Sequence, residues 1–233
     1  MSYHTIVERL ERLELLPPAA ERFDDGPSLR GRVAVLPASF NPPTAAHVEL
    51  LRASCSVAGV ESAAAMLTTR NVDKRIFGAP LPDRVAMLLE IQRANGDIAV
   101  LACNQARLTD QAPPLRDLIG GDHVDFIVGY DTLTRIFDDS YYEHMPVELD
   151  RFFTRHRLIA ANRGEATVEA ITEYLNTEPV RTFAERIEVI ELPPEAASLS
   201  STRARDALTA ADDPEGVPAQ VRDYIERRGL YRD

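Results

Sequence analysis

The sequence predicts an α/β fold: a parallel sheet of five to six strands, helices on both faces, and a helical part at the C-terminus. Three observations predict it. Short apolar runs such as Val33–Leu36 and Val124–Val128 alternate with stretches whose apolar residues recur every three to four positions. Strands buried on both faces of a parallel sheet read as such continuous runs, and the alternation marks βαβ units. The 233 residues, 45% of them apolar, are enough for a full core without covalent staples.

In chain order, Thr5–Leu16 has helical spacing at Ile6, Val7, Leu10, Leu13 and Leu16. Pro17–Gly31 reads as a linker, so residues 1–31 form an N-terminal helix and linker and residues 32–233 the main domain. Strand Val33–Leu36 leads through the loop Pro37–Pro43 to helix Thr44–Val57. Strand Ser62–Thr68, a polar loop, helix Asp83–Asn95 and strand Asp97–Ala102 follow. Leu115–Ile119 reads as a short helix. Strand Val124–Val128 ends at Gly129, helical turns cover Thr132–Phe137 and Val147–Thr154, and Arg157–Ala161 is a fifth strand. Helix Ala166–Asn176, strand Ile187–Leu192, and helices Ser200–Ala210 and Val217–Arg228 complete the chain; the C-terminal helices span 200–233.

Net charge is −11, which opposes binding to nucleic acid or an anionic membrane over most of the surface. A phosphate-rich ligand then needs positive charge gathered locally. Of the 26 basic residues, Lys74 is the single lysine. Cys55 and Cys103 form no CxxC pair, which fits a reducing, cytoplasmic setting. No secretory leader or apolar run of membrane length is visible. The five histidines show no metal-ligand spacing, and GxGxxG, GxxxxGK and GxSxG are absent. No protein metal site is expected.

Two segments carry the chemistry. Pro37-Ala38-Ser39-Phe40-Asn41-Pro42-Pro43-Thr44-Ala45-Ala46-His47 joins the first strand of the domain to a helix. Thr44 can cap that helix and His47 shares its first turn, where free N–H groups attract anions. Ser200-Ser201-Thr202 opens a later helix, with Arg205 one turn on, able to form a bidentate phosphate contact. Taken singly, each reads equally as an ordinary cap beside a solvated side chain.

Together, SFNPxTxxH and Leu199-Ser200-Ser201-Thr202-Arg203-Ala204-Arg205 resemble the (H/T)xGH and ISSTxxR motifs of the nucleotidylyltransferase superfamily. The flanking Phe-Asn-Pro is most similar to the nicotinamide or nicotinate mononucleotide adenylyltransferases. Ala38 and Ala46 depart from the usual glycines, and the chain has no Trp to stack on a pyridine ring. The resemblance is to a divergent branch.

It implies a Rossmann-like fold and an enzyme that transfers AMP from ATP to the mononucleotide, releasing pyrophosphate, with Mg²⁺ bound to ATP. His47, Thr44, Lys74 and Arg205 would act at the transferring phosphate. Ala38, Ser39, Phe40, Asn41, Gly129, Asp131, Ser200, Ser201 and Thr202 would complete the nucleotide site. Lys74, Arg84, Tyr141, Tyr142 and Arg163 would meet the acceptor, with Phe137 a further candidate for ring stacking. The partners implied are ATP and a small phosphorylated metabolite, with a homo-oligomer open. Alternatives are transfer to pantetheine phosphate or a sugar or polyol phosphate, or a nucleotide-binding or ATP-hydrolysing protein with little transferase activity.

Overall fold

The computed structural model describes residues 1–70, 77–121, 123–164 and 166–232. A seven-stranded sheet has the order β1-β4-β3-β2-β5-β6-β7. Its parallel strands are β2 (Arg32–Ala38), β3 (Val60–Thr68), β4 (Ile98–Cys103), β5 (Val124–Gly129), β6 (Arg157–Ala161) and β7 (Ile187–Ile190). β1 (Ala20–Arg22) pairs antiparallel with β4 along one edge.

β1 corrects the reading of Pro17–Gly31 as linker. Ala20-Glu21-Arg22 has no apolar run to betray a strand, but Phe23 beside it is fully buried. The pairing is joined to helix α1 (Tyr3–Leu15) by Arg9, whose Nε donates to Glu21 at 2.7 Å. α1 buries Ile6, Leu10 and Leu13 in the same core as the sheet.

Pleating sends alternate residues of each strand to opposite faces. On β2, Val33 and Val35 enter one core, and Ala34 and Leu36 the other. α1, α2 (Ala45–Ser54), α3 (Leu81–Asn95) and α10 (Ala219–Arg228) supply side chains to the second of these cores. α4 (Leu108–Ile119), α5 (Tyr130–Ile136), α6 (Met145–Phe153) and α7 (Val168–Leu175) supply the first. α4 starts seven residues earlier than expected, running through Pro113 and Pro114.

Two short helices, α8 (Pro194–Ala197) and α9 (Ser201–Thr209), precede α10. The C-terminal part folds back on the sheet's helices. Asp83, 1% exposed at the start of α3, accepts from Tyr3 Oη at 2.9 Å, Tyr224 Oη at 2.8 Å and Arg228 Nε at 3.0 Å. One buried carboxylate thus joins α1, α3 and α10. No helix among the described residues is long and apolar enough to cross a membrane.

Candidate active site

Parallel α/β sheets bind ligands at the carboxyl ends of their strands. A cavity of about 610 Å³ lies there, within the range of small-molecule sites. Its wall includes the end of β2 (Pro37, Ala38), Thr68 at the end of β3, Gly129 at the end of β5, and Ser200–Arg203 and Arg205 of the C-terminal segment.

His47 forms part of this wall, 3% exposed. The Thr44 N–H donates to its Nδ1 at 3.0 Å, so Nδ1 is the acceptor nitrogen. A neutral imidazole with Nδ1 bare carries its proton on Nε2, an assignment that follows from the hydrogen bond. Burial, and next the Arg163 charge, hold the His47 pKa well below its ordinary value. At neutral pH His47 is therefore an uncharged N–H donor. The Phe40 ring, 1% exposed, packs against it with centroids 5.0 Å apart.

Thr44 is fully buried, off the cavity wall, and orients His47 instead of facing the ligand. Ala46 is likewise buried off the wall, so its methyl does not narrow the cavity. Phe40 contributes its packing, whereas Ala38, Ser39 and Asn41 line the cavity.

The two motifs are bonded to each other. Arg205 Nη1 donates to the Asn41 carbonyl at 2.6 Å, and Ser201 Oγ to the Pro42 carbonyl at 2.8 Å. Arg205 Nη2 reaches Thr202 Oγ1 at 3.1 Å, and the guanidinium lies over the Phe77 ring, 5.0 Å from its centroid. Ser200 caps α9 by accepting from the Arg203 N–H. Asn41 is fixed in turn: Nδ2 donates to the Phe77 carbonyl, and Oδ1 accepts from the Ala79 N–H and Tyr231 Oη.

Arg84, 2% exposed, donates to the carbonyls of Ala79, Ser39 and Phe77. It staples the β2–α2 loop to the start of α3 while its charge stands at the wall. Arg163 follows β6, beside Gly129, and the Asp131 charge acts on it. It therefore lies with the residues expected to hold nucleotide, not apart on an acceptor side. Asp131, exposed in the first turn of α5, also lines the cavity.

Tyr141 and Tyr142 are not brought to this cavity. They line a second depression of about 740 Å³ with Arg107, Glu148 and Arg151. Tyr142 Oη donates to the Ile136 carbonyl at 2.7 Å, and burial pushes its pKa up to about 12. Phe137 is 7% exposed and stacks on Phe153, so it is core. Lys74 lies outside the described residues.

Several wall residues were not singled out from sequence: Phe77, Gln111 and Arg135. Phe77 and Arg135 sit on loops or helix turns with no distinguishing pattern. Gln111 stood outside the short helix read at Leu115–Ile119, with no pattern to mark it.

No family model matches the chain. It is 27% identical over 217 residues to the "Putative nicotinamide mononucleotide adenylyltransferase" of Schizosaccharomyces pombe, covering 86% of each protein. Its fold is similar to that of Plasmodium falciparum nicotinic acid mononucleotide adenylyltransferase complexed with NaAD: TM-score 0.65, 18% identity, 87% of this chain and 98% of that one. The same enzyme complexed with APC gives a TM-score of 0.63 at 17% identity, with the same coverage. Two motifs in order, bonded together at the carboxyl edge of a sheet of this topology, agree with those likenesses to mononucleotide adenylyltransferases.

Proposed function

We propose that the protein transfers AMP from ATP to nicotinamide or nicotinate mononucleotide, giving a dinucleotide and pyrophosphate. The observation that carries this is the joining of the two motifs, with His47, Arg205 and the Ser200–Thr202 turn around one cavity. The fission-yeast relative's name and the Plasmodium enzyme's fold support the same reading.

The reaction is an in-line attack by the mononucleotide phosphate on the α-phosphorus of ATP. It needs no protein nucleophile, only positioned reactants and stabilised charge. His47 donates its Nε2–H to the phosphate at the transferring centre. Arg205, with Ser200 and Thr202, holds the leaving pyrophosphate. Asp131 accepts from a ribose hydroxyl. Among the described residues no group of three or more His, Cys, Asp or Glu could hold a metal. Mg²⁺ would then be held by triphosphate oxygens and water, where it neutralises phosphate charge. The two free cysteines accord with work in the cytosol.

Incubation with ATP, Mg²⁺ and each mononucleotide tests this. Dinucleotide and pyrophosphate are expected. Inorganic phosphate alone would identify a hydrolase, and no product at all a binding protein; either overturns the proposal.

A further inference from the structure

The sheet order divides the cavity. β2, which leads into His47, is central. The segments after β5, β6 and β7 carry Asp131, Arg163 and Ser200, the groups assigned to the nucleoside triphosphate. Thr68 at the end of β3, and Ala106, Leu108 and Gln111 after β4, lie on the other side, which is left for the acceptor.

That side holds a buried polar atom that has no partner among the described residues. Gln111, in the first turn of α4, belongs to the cavity wall and is 2% exposed. Its Nε2 donates to the Gln105 carbonyl at 2.9 Å and the Ala106 carbonyl at 3.4 Å. These bonds fix which way round the amide sits, since exchanging its ends would set oxygen against two carbonyl oxygens. Gln111 Oε1 is then an acceptor, and among the described residues nothing donates to it. Thr109 Oγ1, in the same turn, also has no partner among the described residues, but a hydroxyl both donates and accepts and so discriminates nothing. Ala106 and Leu108, from the same segment, give the wall apolar surface suited to a flat ring.

We infer that Gln111 Oε1 reads the substituent on the pyridine ring and selects a carboxamide acceptor over a carboxylate one. This rests on the adenylyltransferase reading above. A carboxamide brings N–H donors to a buried acceptor. A carboxylate brings only lone pairs and negative charge, and a site built around one fixed polar group rejects an analogue that cannot satisfy it.

The test is calorimetric titration of the full chain with nicotinamide mononucleotide and with nicotinate mononucleotide, in the presence of a non-hydrolysable ATP analogue. Amide binding at least tenfold tighter than acid binding is expected. In Gln111→Leu the two affinities should come within threefold. Gln111→Met keeps the length of the side chain but has no oxygen acceptor, and it should narrow the ratio in the same way. If the leucine variant does not fold, the wild-type ratio and the methionine variant decide. The inference is overturned if the wild type binds the acid as tightly, if neither mononucleotide binds, or if leucine or methionine leaves the preference intact. Turnover measured alongside separates the two readings. Amide-selective binding without dinucleotide sinks the adenylyltransferase reading alone, and dinucleotide formed equally from both acceptors sinks the selectivity alone.

Discussion

Arginines are held at both edges of the sheet, but in different company. At the amino edge Asp125 is fully buried between Arg32 Nη1 and Arg157 Nη2, each at 2.6 Å. At the carboxyl edge the Arg84 and Arg205 side chains donate to carbonyls or a hydroxyl; among the described residues the Arg163 side chain has no hydrogen bond and none of the three forms an ion pair. Burial accordingly pulls the pKa of Arg84 and Arg163 down, whereas the Asp125 carboxylate holds Arg157 up. A protein of net charge −11 thus pairs its arginines with a buried carboxylate at one edge and, among the described residues, holds Arg84, Arg163 and Arg205 without an ion pair at the other. The first arrangement serves the fold, and the second keeps a field for an anionic ligand.

The largest expected effect comes from breaking the closed edge. Asp125→Ala leaves two guanidinium groups without their carboxylate and should cost about 3–5 kcal/mol of stability, read by urea unfolding. Turnover per folded molecule should not change. A fall in that turnover would mean the two edges are not separable in function.

Acid tests both edges through their histidines. His156, buried at the amino edge against Val124, is lowered from 6.5 to about 4, mainly by burial. His47 is lowered as well. In each case the unfolded chain binds the proton first, so stability is whole above pH 6.5 and is lost as pH falls below it. For His156 the loss levels off near pH 4 and amounts to about 3 kcal/mol. Thermal melts from pH 7.5 to 4.5 should show the decline, and His156→Gln should flatten it. An unaltered slope in that variant would remove His156 from the account.

At the open edge the expected effect is kinetic. His47→Ala should lower kcat more than tenfold, at least ~1.4 kcal/mol of transition-state stabilisation. Near-normal turnover would sink the assignment of this edge to phosphate transfer.

Most of the sheet was legible because its strands are apolar on both faces. Val33–Leu36, Val124–Val128 and Arg157–Ala161 lie within β2, β5 and β6. β1 was not legible, because an edge strand of three residues needs no apolar pattern. The start of α4 was hidden for a different reason: proline signals a break locally, yet packing carries the helix through Pro113 and Pro114. The two motifs were visible as helix starts, and the structure brings His47, Asn41, Ser200 and Arg205 to one wall. What sequence could not supply was direction. Thr44 and Phe40 turn inward, and Tyr141 and Tyr142 belong to another depression, because orientation depends on packing partners far along the chain.

Tyr231 offers the smallest and most discriminating test of how the open edge is held. Its Oη donates to Asn41 Oδ1 at 2.8 Å, from a position after α10. Asn41 keeps the Ala79 N–H and the Phe77 carbonyl when that hydroxyl is lost, so Tyr231→Phe removes one of three side-chain bonds. The net worth of such a bond is about 0.5–1.5 kcal/mol. Because Arg205 is anchored on the Asn41 carbonyl, part of that cost should appear as a rise of up to about tenfold in KM for ATP, with kcat little changed. If Tyr231 serves only the packing of the C-terminus, the melting temperature falls and KM stays. A larger loss, concentrated in kcat, would place Tyr231 in contact with the reacting groups, although it is not part of the cavity wall.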